Sequence, residues 1–466
     1  MKSSIRYRST RGNSPVLDFE QVVLTGLASD GGLYVPDSIP QFSSHQIASM
    51  NGISYPELAL RLIHPFVGDA ISEDELLAML GESYREFRHR AIAPLKQIGN
   101  QEWVLELFHG PTLAFKDFAL QFLGRLISHI LKKRNEKVMI LGATSGDTGS
   151  AAIAGCRGRD NMEIVILYPQ GRTSDVQRRQ MTTVEDENVH CVAINGTFDD
   201  CQRLVKQLFV DSAFREKHNL TAVNSINWAR ILAQVVYYFY AALQLGAPAR
   251  TFSFSVPTGN FGDIYAGYLA RRMGLPIETL LIASNRNDIL TRTVETGEYK
   301  IDSVFQTLSP SMDIQVSSNF ERQIYDLYGG DAEATRAHMQ SLAQQGSFTL
   351  SDAVRRELAT IFSAVSIDDA ETSQTIRDIY QATGELLDPH TAVGVAAARK
   401  ARSHMSKPYI TLSTAHPAKF PDAVKAATGV TPELPPHMES IFEKKERFTS
   451  VQNDVDALKS FIEKRR

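Results

Sequence analysis

The chain has 466 residues, and 49 Lys and Arg against 53 Asp and Glu give a formal charge of −4, which disfavours nucleic acid as its main partner. With 43% hydrophobic and 22% charged residues the composition is that of an ordinary globular protein, long enough for about three domains. Three cysteines, Cys156, Cys191 and Cys201, support neither a disulfide framework nor a CxxC metal site, so a reducing, cytoplasmic location is expected.

At the amino terminus, Met1 to Arg8 lacks the apolar stretch of an export signal. Turn clusters such as Ser29-Asp30-Gly31-Gly32 and helical patterns at Tyr55 to Ile63 and Glu73 to Phe87 then suggest a small leading domain over residues 1–95. The segment Glu106 to Ala119 holds a turn at His109-Gly110-Pro111-Thr112 and a helix beginning near Lys116. A lysine set among Leu113, Phe115 and Phe118 is poorly placed for solvent, and desolvation favours the neutral, nucleophilic amine. The competing reading is a snorkelling lysine at a helix start.

From Val138 short apolar runs alternate with helical patterns. Val138 to Leu141, Ile164 to Leu167, Val192 to Ile194, Phe252 to Val256, Leu280 to Ile282 and Tyr409 to Leu412 read as strands. Such alternation predicts parallel sheets covered by helices on both faces. Ile231 to Leu245, broken by Gln234 and Gln244, is too short to span a bilayer and reads as a buried helix. A more helical region is expected from about Asp331 to Ser403, and peripheral helix and loop from about Pro435.

Ligands of open parallel sheets bind where strands give way to helices. One such loop is Gly142 to Ser150, including Thr144, Ser145, Gly146, Asp147 and Thr148; another is Pro257 to Asp263, with Gly259, Asn260, Phe261 and Gly262. Glycines and hydroxyls at a helix start make an anion cradle, although capped turns are the plainer alternative. Taken as two cradles on one sheet, the loops suggest a ligand with two anionic ends, or two ligands. Neither loop is a Walker or GxGxxG motif, and the histidines give no HExxH spacing, so no metal is expected.

The segments His109 to Phe118, Thr144 to Gly149 and Pro257 to Gly262, in this order, together resemble threonine synthases of the longer fungal and bacterial class. That family belongs to the tryptophan-synthase-β-like, fold type II group of pyridoxal 5'-phosphate enzymes. The resemblance extends through Ser9-Thr10-Arg11-Gly12, Ser225 to Arg230, Asn285 to Asp288, Ser318 to Arg322 and Ser413 to His416. It implies an α/β fold with a small N-terminal domain (1–95), two open parallel-sheet lobes with the cofactor between them (96–430) and a peripheral C-terminal segment (431–466).

It also implies that Lys116 forms a Schiff base with pyridoxal phosphate and that Gly259, Asn260, Phe261, Gly262 and Asp263 hold the cofactor phosphate. Thr414 would meet the ring nitrogen, and Thr144 to Thr148 would take the substrate carboxylate. Related enzymes have Asn where Asp147 stands, and an ionised Asp147 would repel a phenolate unless it is protonated, turned to the helix amides or replaced in that contact by another group. The implied reaction is loss of phosphate from O-phospho-L-homoserine and addition of water, giving L-threonine. The alternative is a related phospho-lyase releasing a 2-oxo acid. Candidates for the substrate phosphate are Arg230, Asn285, Asn287, Arg286, Ser317 and Arg322. His109 is expected to be structural, and His416 and Lys419 to lie near the ring. No membrane partner is implied, and either a monomer or a homodimer is compatible.

Overall fold

The computed structural model describes residues 5–222, 224–401 and 408–464. The chain forms two compact units, one of Met1–His109 with Ser225–Pro432 and the other of Gly110–Asn224 with Glu433–Arg466.

The first unit is built on a six-stranded sheet with the order Phe362–Ser366, Ile277–Ser284, Phe252–Pro257, Tyr409–Ser413, Glu102–Glu106, Leu95–Gly99. All neighbours run parallel except the last pair, a hairpin of Leu95–Gly99 with Glu102–Glu106 at the edge. Every residue of Phe252–Pro257 and Tyr409–Ser413 is buried, as expected for central strands covered on both faces. The covering helix Pro389–Ala401 lies so close that a Cβ on Gly394 would stand 2.7 Å from the Thr411 side chain. Trp228–Gln244 is the buried helix expected of its apolar run, and it packs on Gly262–Arg272.

The second unit carries a five-stranded, wholly parallel sheet in the order Thr449–Val451, Val189–Ile194, Met162–Pro169, Val138–Ala143, Leu220–Thr221. Its core includes Leu141, Val165 and Val192 from the strands, Leu204 and Leu208 from helix Phe198–Val210, and Leu458 and Ile462 from the last helix.

Three expectations need correction. The strands leading into the two glycine loops, Val138–Ala143 and Phe252–Pro257, belong to different sheets in different units, because each apolar run pairs with its own neighbours. The segment beyond Pro435 is more than helix and loop: Thr449–Val451 adds an edge strand beside Val189–Ile194. The helical region after Asp331 is interrupted by Ser347–Thr349 and Phe362–Ser366, and its expected end near Ser403 lies outside the described residues. Among the described residues no helix is long and apolar enough to cross a membrane.

Candidate active site

In the second unit the helix Lys116–Arg134 begins at the lysine itself, without a side-chain cap. Its start is shaped by the fully buried Asp117, whose carboxylate accepts the Thr112 amide at 2.8 Å and the Thr112 hydroxyl at 2.7 Å. A Cβ on Gly110 would lie 2.5 Å from the Asp117 side chain, so the turn closes this tightly only around a glycine. Leu113 takes φ of 61°, a strained value for a branched side chain, held by burial against Met438 and Ile441.

This helix crosses Asp147–Cys156 backbone to backbone. A Cβ on Gly124 would stand 2.0 Å from the Gly155 carbonyl oxygen, and one on Gly155 would stand 2.2 Å from that of Leu120. The close crossing accompanies the approach of the two helix starts, with Lys116 Nζ 3.5 Å from Asp147 Oδ2. The Lys116 side chain is only 11% exposed, and its amine lies 5.0 Å from the Phe115 ring centroid. On its other oxygen Asp147 accepts Gln177 Nε2 at 2.8 Å, and Gln177 is itself positioned by Ser174. The Thr144 hydroxyl accepts the amides of Gly146 and Gly149, both at 2.9 Å, which curls the loop. Ser145 is exposed at its tip, whereas Asp147 is buried and Thr148 half-buried.

In the first unit the loop after Phe252–Pro257 enters helix Gly262–Arg272 through Phe261, which has φ of 61° and no side-chain cap. The Phe261 ring is anchored against Phe320 and Phe362 at 5.1 and 5.5 Å, which fixes this unusual backbone. Asn319 donates from its backbone and side chain to the Asn260 carbonyl, at 3.1 and 3.0 Å, and Ser317 Oγ donates to the Gly259 carbonyl at 2.6 Å. With these carbonyls turned to the protein, the loop residues and the helix start form a cradle for an anion. A Cβ on Gly259 would lie 2.8 Å from the Ser311 carbonyl oxygen, so this wall admits only glycine. Such a cradle fits a phosphate group.

The other expected residues divide sharply. The Asp263 carboxylate is committed to the hydroxyls of Tyr237 and Tyr238, at 2.5 and 3.1 Å, and burial raises both phenols well above their ordinary range. Thr414 is buried just after Tyr409–Ser413. Arg230 is 4% exposed, its Nη1 has no hydrogen-bond partner, and burial lowers its guanidinium to about 10. A buried cation in that condition is suited to an incoming anion. Arg322 is equally buried, but its guanidinium donates to Tyr34, Asn319 and Ile226 and thereby braces the loop partner Asn319. The Asn285 amide donates to Thr307, Ser309 and Asp313, that of Asn287 to Phe305 and Asp313, so both are engaged in an internal network. Burial raises the Asp313 carboxyl above its ordinary value. Arg286 is exposed over the Phe305 ring.

His109 Nε2 lies 2.7 Å from Glu106 Oε2. His416 accepts the Ala418 amide, and burial, assisted by His109 nearby, pushes its imidazole down to about 4. Lys419 is fully buried. Asp117, Gln177, Asn319 and Asp313 shape the site without being singled out by any sequence motif. Asp117 adjoins the lysine and was within reach, but the others act through contacts distant in sequence.

Comparison with known proteins now assigns the class. Residues 87–351 match the family described as pyridoxal-phosphate dependent enzyme, and the chain has the fold type II architecture of that group. On either side, residues 6–84 match the threonine synthase N terminus and residues 391–462 the threonine synthase C-terminal family. The chain is 55% identical over 459 residues to threonine synthase of Pseudomonas aeruginosa, covering 98% of each. Among solved structures, pyridoxal-phosphate-bound threonine synthase from Brucella melitensis superposes with a TM-score of 0.97 at 53% identity, covering 99% of both chains. The yeast threonine synthase gives 0.95 at 42%, covering 100% of this chain and 99% of that one. The chain belongs to the threonine synthase family of pyridoxal-phosphate-dependent enzymes.

Proposed function

We propose that the protein releases phosphate from O-phospho-L-homoserine and adds water to give L-threonine, with Lys116 as the amine that carries the cofactor and moves the protons. The observation that carries this reading is the Lys116 side chain, only 11% exposed at a helix start beside Asp147. When bound, pyridoxal phosphate supplies an electron sink for negative charge at the carbon beside the substrate nitrogen. Gly259, Asn260, Phe261 and Gly262 are assigned to its phosphate, Asp263 contributing by its backbone, and Thr414 to its ring nitrogen.

Lys116 would hold the cofactor through its side-chain amine, and the same amine would serve as the base for the substrate's α proton. Asp147, fixed by Gln177, is placed to hold the ammonium form of Lys116 between these transfers. Thr144 to Thr148 receive the substrate carboxylate at the start of helix Asp147–Cys156. Departure of phosphate demands positive charge, and Arg230 is assigned that part. Asn285 and Asn287 are proposed to face the substrate, with Asp313 keeping their amides ordered. Three buried free cysteines support a cytoplasmic location.

The test is incubation with O-phospho-L-homoserine while phosphate, threonine and 2-oxobutyrate are assayed together. Phosphate and threonine in equal amounts are expected. Phosphate with 2-oxobutyrate and no threonine would refute the proposal in favour of a phospho-lyase.

A further inference from the structure

Behind the cradle of the first unit, the helix Pro389–Ala401 begins with a chain of buried polar groups that runs in one direction. Asp388 is fully buried, and its Oδ1 accepts the His390 amide at 2.9 Å and lies 2.8 Å from His390 Nδ1. Its Oδ2 accepts the Thr391 amide at 3.2 Å and the Thr391 hydroxyl in a short bond. On the far side of the imidazole, Nε2 lies 3.2 Å from the amide nitrogen of Ser311. A backbone amide can only donate, so Nε2 must accept, and the ring proton must sit on Nδ1, pointing to Asp388. The Thr391 hydroxyl has one proton and gives it to Asp388. Ser413 Oγ, 3.1 Å away, must therefore donate to Thr391.

Both ends of this chain reach residues already assigned to the cofactor. Ser311 supplies the carbonyl oxygen against which Gly259 packs, within 2.8 Å of where a Cβ would be. Ser413 immediately precedes Thr414. The ring of His390 is further confined by Phe420, with centroids 4.8 Å apart.

We infer that His390, oriented by Asp388 as the Nδ1–H tautomer, is a positioning residue that holds Ser311 behind Gly259 and so fixes the wall of the phosphate cradle. This rests on the assignment of Gly259–Gly262 to the cofactor phosphate. A protonated or inverted imidazole would set two donors face to face at Ser311 and release that wall. Asp388 acts through His390, and neither residue need touch substrate.

Two substitutions separate this role from packing. His390→Gln can place an acceptor where Nε2 stands, whereas His390→Asn can reach only the position of Nδ1. Cofactor affinity is read by titrating pyridoxal phosphate into cofactor-free protein, with the urea midpoint of each variant measured alongside. His390→Gln is expected to bind within about twofold of wild type, and His390→Asn about tenfold more weakly, the worth of one lost hydrogen bond. Equal affinity for His390→Asn and wild type, or equal loss in both variants, would overturn the inference. In the wild-type holoenzyme, ¹⁵N-histidine spectra are expected to show His390 as Nδ1–H, and an Nε2–H or cationic ring would overturn it even if neither variant folds. Gly259→Ala tests the underlying assignment separately. Unchanged cofactor affinity there refutes the phosphate cradle, while loss there with wild-type affinity in His390→Asn refutes the positioning role alone.

Discussion

Gly155→Ala tests whether the crossing of two helices sets the reach of Lys116. The new Cβ would stand 2.2 Å from the Leu120 carbonyl oxygen and 2.9 Å from its carbon, where real Cβ contacts essentially never fall below 3.0 Å. Both obstacles are backbone, so no side chain can swing aside, and the helices Lys116–Arg134 and Asp147–Cys156 must part by ~0.8 Å or more. Overpacking of this kind costs about 1–3 kcal/mol, and a backbone obstacle places the expectation at the upper end. The same displacement carries Lys116 Nζ away from Asp147 Oδ2, now 3.5 Å apart. A shift of roughly 1 Å in a positioned group is enough for about a hundredfold loss of rate. Urea unfolding of cofactor-free protein and initial rates of threonine formation in loaded enzyme give the two readings. Gly81→Ala is the control, because Gly81 lies in helix Glu73–Arg85 with nothing within 4 Å of its added Cβ; it should gain up to about 1 kcal/mol from helix propensity alone. A Gly155→Ala protein with the wild-type urea midpoint and rate would refute the argument that this contact sets the site.

Asp147→Asn keeps the shape and the bond from Gln177 but removes the charge beside Lys116, and kcat should fall about 10- to 100-fold, the worth of one charge-assisted hydrogen bond; a wild-type kcat at every pH would exclude a proton-holding role. Arg230→Met removes a buried cation that lacks a partner on Nη1, so the cofactor-free protein should be no less stable, while KM for the phosphorylated substrate rises about a hundredfold. An unchanged KM would move the substrate-phosphate site elsewhere. His416, held near 4 against an ordinary 6.5 by burial and then by His109, is neutral in both folded and unfolded chains above about 6.5. Below that only the unfolded chain takes up the proton, so stability should fall by up to about 3 kcal/mol as pH drops from 6.5 to 4. With Asp388, Glu106 and Lys419 left in place around it, His416→Asn should flatten that part of the pH–stability curve, and an unaltered slope would point to another group.

The strands at Val138, Ile164, Val192, Phe252, Leu280 and Tyr409 were legible because central parallel strands are buried on both faces and therefore read as continuous apolar runs. Edge elements were harder. Leu95–Gly99 and Thr449–Val451 bury only part of their side chains and carry no comparable run. Lys116 was visible from its apolar neighbours, and the glycine loops from their place after strands. The partners that aim them were not, because Gln177 reaches Asp147 across 30 residues and Asn319 reaches Asn260 across 59. The assignment of sheets failed for a related reason: alternation of strand and helix states that parallel sheets exist, but not which strands share one.

The edge strand Thr449–Val451 has a consequence for the order in which the protein can be assembled as it is made. Val192 pairs with Thr449, so closure of that sheet spans more than half of the chain. Leu458 and Ile462, which complete the same core, emerge later still, and each contributes about 1.5–3 kcal/mol when buried. Until then, Val189–Ile194 offers the nascent chain a bare strand edge on a ribosome-bound intermediate, a template for wrong pairing. The unit that bears Lys116 is begun early in synthesis and is among the last parts to close, so a messenger cut short before codon 449 would yield a polypeptide with its Lys116 helix present and its sheet edge uncovered.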